Sequence, residues 1–333
     1  MSRRKVTLVP GDGIGPEVTA AAVRVVEAVG APIDWEEVEA GAEVIAKYGT
    51  AVPEGVLNSI RKNGVALKGP MGTPIGGGFK SANVELRQAL DLYASVRPVR
   101  NVPGIATRFE GVDLVLVREN TEDLYAGLEH RIAPGIVESL KIVTEKACTR
   151  IARYAFELAV REGRREVAAV HKANIMKLTD GLFLECTRRV AREFPGVAYR
   201  EIIVDNCAMQ LVRDPRQFDV LVLGNLYGDI LSDLCAGLVG GLGVVPGANI
   251  GADCAVFEAV HGSAPDIAGK GIANPTAVVL STAQLLAHLG FRDEAQRIER
   301  AVHRIFVDPA NHPRDLGGTA TTAQVTEALI AAL

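Results

Sequence analysis

Two carboxylates four residues apart, Asp229 and Asp233, stand in the segment Asn225-Leu-Tyr-Gly-Asp-Ile-Leu-Ser-Asp233. On a helix that spacing puts both on one face, one turn apart, where like charges repel unless a cation lies between them. The pair follows the apolar run Val220 to Leu223 and precedes the nearly uncharged stretch Cys235 to Val245. Carboxylates entering such surroundings want a counter-ion, and an all-oxygen ligand set suits Mg²⁺ or Mn²⁺. A bare acidic pair also has an ordinary account, because a helix N-terminus favours negative charge. Asp205, closing the run Ile202-Ile203-Val204, is a third candidate ligand and reads equally as a turn or cap residue.

Three arginines, Arg87, Arg97 and Arg118, are the candidate anion holders, since a guanidinium fork binds carboxylate or phosphate bidentately. Glu85 and Glu119 are alternative partners for them. In Val170-His-Lys172-Ala-Asn174 a lysine follows a buried strand, and strand ends are where α/β proteins keep their sites. Desolvated there, it would serve as a base; exposed, it would simply reach for water. The turn Gly11-Asp-Gly13-Ile-Gly15-Pro16 has proline where the G-x-G-x-x-G dinucleotide fingerprint needs its last glycine, so that fingerprint is not met. The loop His261-Gly-Ser-Ala-Pro-Asp266-Ile-Ala-Gly269 is rich in turn residues and carries one acid.

Elements able to position these groups alternate along the chain. Lys5 to Pro10 predicts a strand, followed by a glycine turn and a helix with Val18, Ala22, Val25, Val26 and Val29 on one face, ending at Gly30. Strands are predicted at 112–117, 167–170 and 220–223. Helices are predicted at 145–162, stopped by Gly163, at 179–194, and over 277–289 as an amphipathic helix ending at Gly290. Such alternation implies a mainly parallel sheet covered by helices. With 333 residues, 48% of them apolar, there is material for about two domains with sizeable cores. Charged residues at 23% exclude the composition of a disordered chain. A balance of 36 basic and 40 acidic side chains shows no footprint for nucleic acid. The stretch Cys235 to Ile250 is broken by Gly237, Gly240, Gly241, Gly243 and Pro246, which argues against a membrane span, and the N-terminal apolar run is too short for a signal-peptide core. Five widely spaced cysteines read as reduced, buried thiols of a cytoplasmic protein.

Taken together and in this order, the pieces resemble the β-decarboxylating dehydrogenases, the family of isocitrate, homoisocitrate and 3-isopropylmalate dehydrogenases. The likeness runs from Gly11-Asp-Gly-Ile-Gly-Pro-Glu17 to Asp315-Leu-Gly-Gly318, through Arg118-Glu-Asn-Thr-Glu122, His171-Lys-Ala-Asn174, Asn225 to Asp233 and His261-Gly-Ser-Ala-Pro-Asp266. It implies a two-domain α/β fold with a large mixed sheet flanked by helices, not a Rossmann fold. Residues 1–98 and 252–333 would form the large domain and 99–251 the small one, with a dimer-forming clasp near 128–165. The resemblance implies Asp205, Asp229 and Asp233 as metal ligands. Arg87, Arg97, Arg118 and Asn174 would bind substrate, with Tyr125 and Lys172 catalytic. Thr73, His261, Gly262, Asp266, Ile267 and Asn274 would line the NAD site. Lys172 and Asp205 would reach into the partner's site, making the protein a homodimer or a higher homo-oligomer.

Substrate choice rests on Ser81-Ala-Asn83, which resembles the isocitrate enzymes whose serine and asparagine bond the γ-carboxylate; isopropylmalate enzymes are apolar there. The stretch Val204-Asp-Asn-Cys-Ala-Met-Gln-Leu-Val212 resembles homoisocitrate enzymes, which keeps homoisocitrate as the alternative. A regulatory subunit of the same fold is a further alternative, disfavoured because every catalytic type is present. Three aspartates, a divalent ion, three arginines and a lysine leave three positive charges in surplus, which suits the isocitrate trianion. Asp266 and Ile267 resemble NAD-dependent members, because a carboxylate accepts from ribose hydroxyls and repels a 2′-phosphate. Asp123 stands where many relatives carry glycine, so the Tyr125 turn is expected to differ locally.

Overall fold

The computed structural model describes residues 3–72 and 81–333 of the chain; Thr73 falls outside them. In chain order the strands are β1 (Arg4–Val9), β2 (Ile33–Glu37), β3 (Val65–Lys68), β4 (Ala94–Arg100), β5 (Asp113–Glu119), β6 (Glu129–Ala133), β7 (Ile136–Ser139), β8 (Glu166–His171), β9 (Ala198–Ile203), β10 (Val220–Leu223), β11 (Pro246–Ile250) and β12 (Ala255–Ala259). The helices are α1 (Gly15–Val29), α2 (Ile45–Tyr48), α3 (Glu54–Asn63), α4 (Ala82–Ala89), α5 (Glu145–Glu162), α6 (Thr179–Ala191), α7 (Val204–Arg213), α8 (Asn225–Leu238), α9 (Thr276–His288), α10 (Arg292–Ile305) and α11 (Thr322–Ala332).

All strands but β6 and β7 join one sheet in the order β2-β1-β3-β12-β11-β4-β5-β10-β8-β9. Its two wings are parallel, while β11 pairs antiparallel with both β12 and β4, and β4 with β5. Buried valine, leucine and isoleucine on the central strands explain the unbroken apolar runs, since helices cover both faces. α1 and α5 end where the sequence places them, at Gly30 and Gly163, both left-handed. The helix predicted as amphipathic over 277–289 differs. α9 packs against α1, α10 and β12 and is buried on most of its surface, and Ser281 and Thr282 satisfy their hydroxyls on the carbonyls of Ala277 and Val278, each at 2.8 Å. The five cysteines are free and buried.

Parallel pairing brings the C-terminal ends of β5, β10, β8 and β9 to one edge of the sheet, followed by Asn120, Gly224, Lys172 and Val204. The region expected as a clasp divides in two. β6 and β7 form a separate hairpin exposing Ile132, Ile136 and Val137, whereas α5 is a core helix.

Candidate active site

α8 carries the acidic pair. Its first residue, Asn225, is buried and accepts at Oδ1 from Arg118 Nε at 3.0 Å and Nη2 at 2.7 Å, while its amide donates to the Glu122 carbonyl at 3.0 Å. Arg118 is thereby turned so that Nη1 pairs with Asp229. Arg118 is 1% exposed, and a methyl on Gly228 would lie 2.4 Å from its Cγ. One helical turn must therefore present no side chain where the arginine crosses. The sequence reading takes neither Asn225 nor Gly228 as a site residue; their signal is an asparagine at a strand end and a glycine three residues on.

The other Asp229 oxygen accepts from the Tyr125 hydroxyl at 2.7 Å, and the Arg118 guanidinium lies 5.1 Å from the tyrosine ring centre. Burial pushes the Asp229 carboxyl up, but Arg118, Tyr125 and Arg97 outweigh it and hold the group below the usual range. Burial and the Asp229 charge raise Asp233, despite Arg97 at 3.6 Å. Tyr125 is itself raised, by burial and then by its bond to Asp229, so it keeps its proton at neutral pH. The left-handed backbone of Asp123 (φ 74°) explains why glycine suits the start of the Tyr125 turn. Here the Asp123 carboxylate compensates by accepting from Leu124 N at 2.9 Å and Leu226 N at 3.0 Å.

The arginines converge. Arg97 binds Ser232 and is pushed down to about 10 by burial and then by its neighbours Arg118 and Arg87. Arg87, on α4, approaches Glu258 at 3.3 Å, but its Nε is buried with no partner among the described residues, as is Asn83 Oδ1. Arg87, Asn83 and Arg97 line a cavity of about 110 Å³ with Lys68, Glu258, His261 and Gly262. Burial opposes ionisation of Glu258, yet Lys68 at 2.5 Å and Arg87 hold it at about 2. His261 faces the Gly262 carbonyl through Nδ1 at 3.1 Å, is lowered by burial, and leaves Nε2 buried and unpartnered among the described residues. Buried polar atoms are normally satisfied, so this cavity is built for a polar ligand. Ser81 stands at the N-terminus of α4, beside it in sequence.

His261 begins a loop seated on the glycine turn: Ile14 N donates to Ser263 O at 2.9 Å, and Asp12 accepts from Ala42 N and Gly72 N at 2.8 and 2.6 Å. That turn is thus a structural knot, in keeping with its failed fingerprint. Asp266 and Gly262 are exposed, Ile267 packs on the core, and buried Asn274 accepts from Thr276 N and donates to Asp315, both at 3.0 Å.

Lys172 and Asp205 form a pair of their own, with Asp205 lowered by that bond. Within one chain the pair does not join Asp229 and Asp233, and among the described residues no three acidic, histidine or cysteine side chains gather as a metal site. In a single chain Lys172 is about 28% exposed and ion-paired. Asn174 is exposed in the same turn, as are Ile175 and Leu178.

Residues 5–329 match the model of the isocitrate/isopropylmalate dehydrogenase family. Over 97% of its length the chain is 53% identical to the mitochondrial NAD isocitrate dehydrogenase catalytic subunit 5 of Arabidopsis thaliana, 87% of which is covered. It is 54% identical, over 90% of its length and 84% of the relative's, to the chloroplastic 3-isopropylmalate dehydrogenase of Solanum tuberosum. The crystal structure of isocitrate dehydrogenase from Methylococcus capsulatus superposes with a TM-score of 0.96 at 53% identity, covering 100% of this chain and 99% of that one. Other relatives of similar identity are named regulatory subunits. The cytoplasmic location expected from the cysteines is not upheld, since the isocitrate dehydrogenase subunits it resembles in plants, an amoeba and a yeast are mitochondrial. Reduced thiols report a reducing compartment and do not say which one.

Proposed function

Because the chain belongs to the isocitrate/isopropylmalate dehydrogenase family, we propose that it oxidises isocitrate with NAD and decarboxylates the product to 2-oxoglutarate. The observation that carries this is the polar cavity where Arg87 Nε, buried with no partner among the described residues, stands beside Arg97, Asn83 and His261. An isopropyl group would leave Arg87 Nε unsatisfied, whereas a third carboxylate accepts from it. That favours isocitrate over isopropylmalate despite the likeness to the potato enzyme.

Asp229 and Asp233, oxygen ligands one turn apart on α8, fit Mg²⁺ or Mn²⁺, with Asp205 of a second copy completing the set. Such an ion, when bound, polarises the substrate's 2-hydroxyl and then its 2-oxo group. Arg87, Arg97 and Arg118 hold the carboxylates, Lys172 takes the hydroxyl proton as hydride passes to NAD, and Tyr125 returns a proton to C3 after CO₂ leaves. Tyr125 suits that step because burial keeps its hydroxyl protonated. Gly262 and Asn274 border the cofactor groove in this reading, and Asn174 the substrate.

The homodimer is part of the same reading. It is supported by the apolar hairpin β6–β7 and by exposed Ile175, Leu178 and Met209 around the Lys172–Asp205 pair. The division into 1–98 with 252–333 and 99–251 is supported by the apolar clusters, which fall almost wholly on one side or the other.

A panel of isocitrate, homoisocitrate, isopropylmalate and tartrate against NAD⁺ and NADP⁺, with Mg²⁺ or Mn²⁺, tests the assignment on the purified chain. NADH absorbance should rise with isocitrate. Turnover with isopropylmalate alone would overturn the substrate, and an inactive pure chain would favour a regulatory subunit. Exchanging Asp266→Lys together with Ile267→Tyr should raise the NADP⁺/NAD⁺ ratio of kcat/KM by about tenfold or more, an effect of roughly 1.4 kcal/mol. An unchanged ratio would remove Asp266 from the ribose site.

A further inference from the structure

Lys172 hangs by its main chain from a carboxylate the reaction does not use. Asp180, buried in the first turn of α6, accepts at Oδ2 from Lys172 N at 2.6 Å and from the Tyr227 hydroxyl at 3.2 Å. Its Oδ1 accepts from Lys141 Nζ at 2.5 Å. Lys141 comes directly off the β6–β7 hairpin, is largely buried, and lies 3.9 Å from Asp123 Oδ1 and 4.6 Å from the Tyr227 ring centre. The next residue, Ile142, pairs by backbone with Asp123 at 2.9 Å. Asp123 in turn begins the Tyr125 turn and bonds the second residue of α8, Leu226.

One ammonium thus sits where three pieces meet: the turn bearing Tyr125, the helix bearing Asp229 and Asp233, and the turn bearing Lys172. We propose that Lys141, shared between Asp180 and Asp123, is a positioning residue that locks the Lys172 turn to the Tyr125 turn and α8. Without that charge two buried carboxylates face each other with nothing between them. The strain is relieved by their parting, and any shift of Asp180 carries the Lys172 amide with it. The exit of an exposed hairpin is thereby tied to the turn bearing Lys172.

The inference rests on the isocitrate reading, so the wild-type enzyme with isocitrate is the reference. Methionine keeps the unbranched stem of lysine, one atom shorter, and removes the charge. Lys141→Met should lower kcat about 30-fold, within the hundredfold that a misplacement near 1 Å can cost. KM for isocitrate and NAD should stay within about threefold of wild type, and the isotope effect with C2-deuterated isocitrate should rise as hydride transfer slows. Tyr227→Phe, which removes only the 3.2 Å bond, should show the same signature at about threefold. It carries the test if Lys141→Met does not fold. Wild-type inactivity on isocitrate would defeat the functional reading. With an active wild type, an unchanged kcat and isotope effect in either variant, or a loss confined to KM or to the folded fraction, would overturn the positioning role.

Discussion

Two inactive variants, Lys172→Met and Asp229→Asn, should restore activity to each other when co-expressed. Alone, Lys172→Met loses its proton acceptor, a step worth about 10²–10⁴-fold. Asp229→Asn loses a ligand oxygen and the charge that Arg118 answers. In one chain Lys172 is paired with Asp205 and stands apart from Asp229, so in the proposed reading the site is completed by a second copy. In the proposed two-fold dimer the Asp229 of one protomer would face the Lys172 of the other. A mixed dimer then holds one fully wild-type site and one doubly altered site. Random pairing gives about a quarter of wild-type turnover, half the dimers being mixed and each with one good site. Activity staying at the level of the separate variants would show that each chain builds its site alone, and size-exclusion chromatography of the mixture would establish that mixed dimers had formed.

What the sequence made legible, and what it did not, divides along physical lines. Asp229, Asp233 and Lys172 were visible because charged residues at helix turns and strand ends amid apolar runs are costly without a purpose, and all three occupy the C-terminal edge of the sheet. Arg97 and Arg118 were visible only as types, because nothing in spacing says that β4 and β5 lie side by side and deliver both guanidiniums to α8. The contacts of Lys141 were illegible for the same reason. Asp123 and Asp180 lie 18 and 39 residues away along the chain, and only the tertiary fold brings them to it. Asp123 marks in the sequence only that the Tyr125 turn differs locally; its left-handed backbone and its bonds to Leu124 and Leu226 show how the side chain compensates for the absent glycine. The burial of α9 escaped because helix periodicity reports one apolar face and cannot see how many neighbours enclose the rest. Compartment was over-read, since no residue in the chain encodes it through thiol chemistry alone.

Gly228 offers the sharpest test of how the site is built, since it touches neither substrate nor cofactor in the proposed reading. Within α8, alanine would ordinarily be the better helix former by about 1 kcal/mol. Here its methyl would lie 2.4 Å from Arg118 Cγ and 2.6 Å from Arg118 Cβ, closer than real atoms approach. Arg118 has little room to yield, because its Nε and Nη2 are bonded to Asn225 and its Nη1 to Asp229. Either α8 shifts outward, taking Asp229 and Asp233 with it, or the guanidinium leaves Asn225 and swings off the substrate. Gly228→Ala should therefore destabilise the fold by about 1–3 kcal/mol, the usual cost of overpacking, in place of the gain that helix propensity alone predicts. Its kcat/KM for isocitrate should fall about 10²-fold, as displacement of a substrate-holding group by an ångström does. NAD binding, measured by calorimetry, should change little, because the hydrogen bonds of His261 and Asn274 go to Gly262, Thr276 and Asp315, not to this turn of α8. Thermal denaturation and steady-state kinetics on the one variant decide it: a stabilised, fully active Gly228→Ala enzyme would mean that Arg118 is not held where the packing puts it, and the account of the arginine cluster would fall with it.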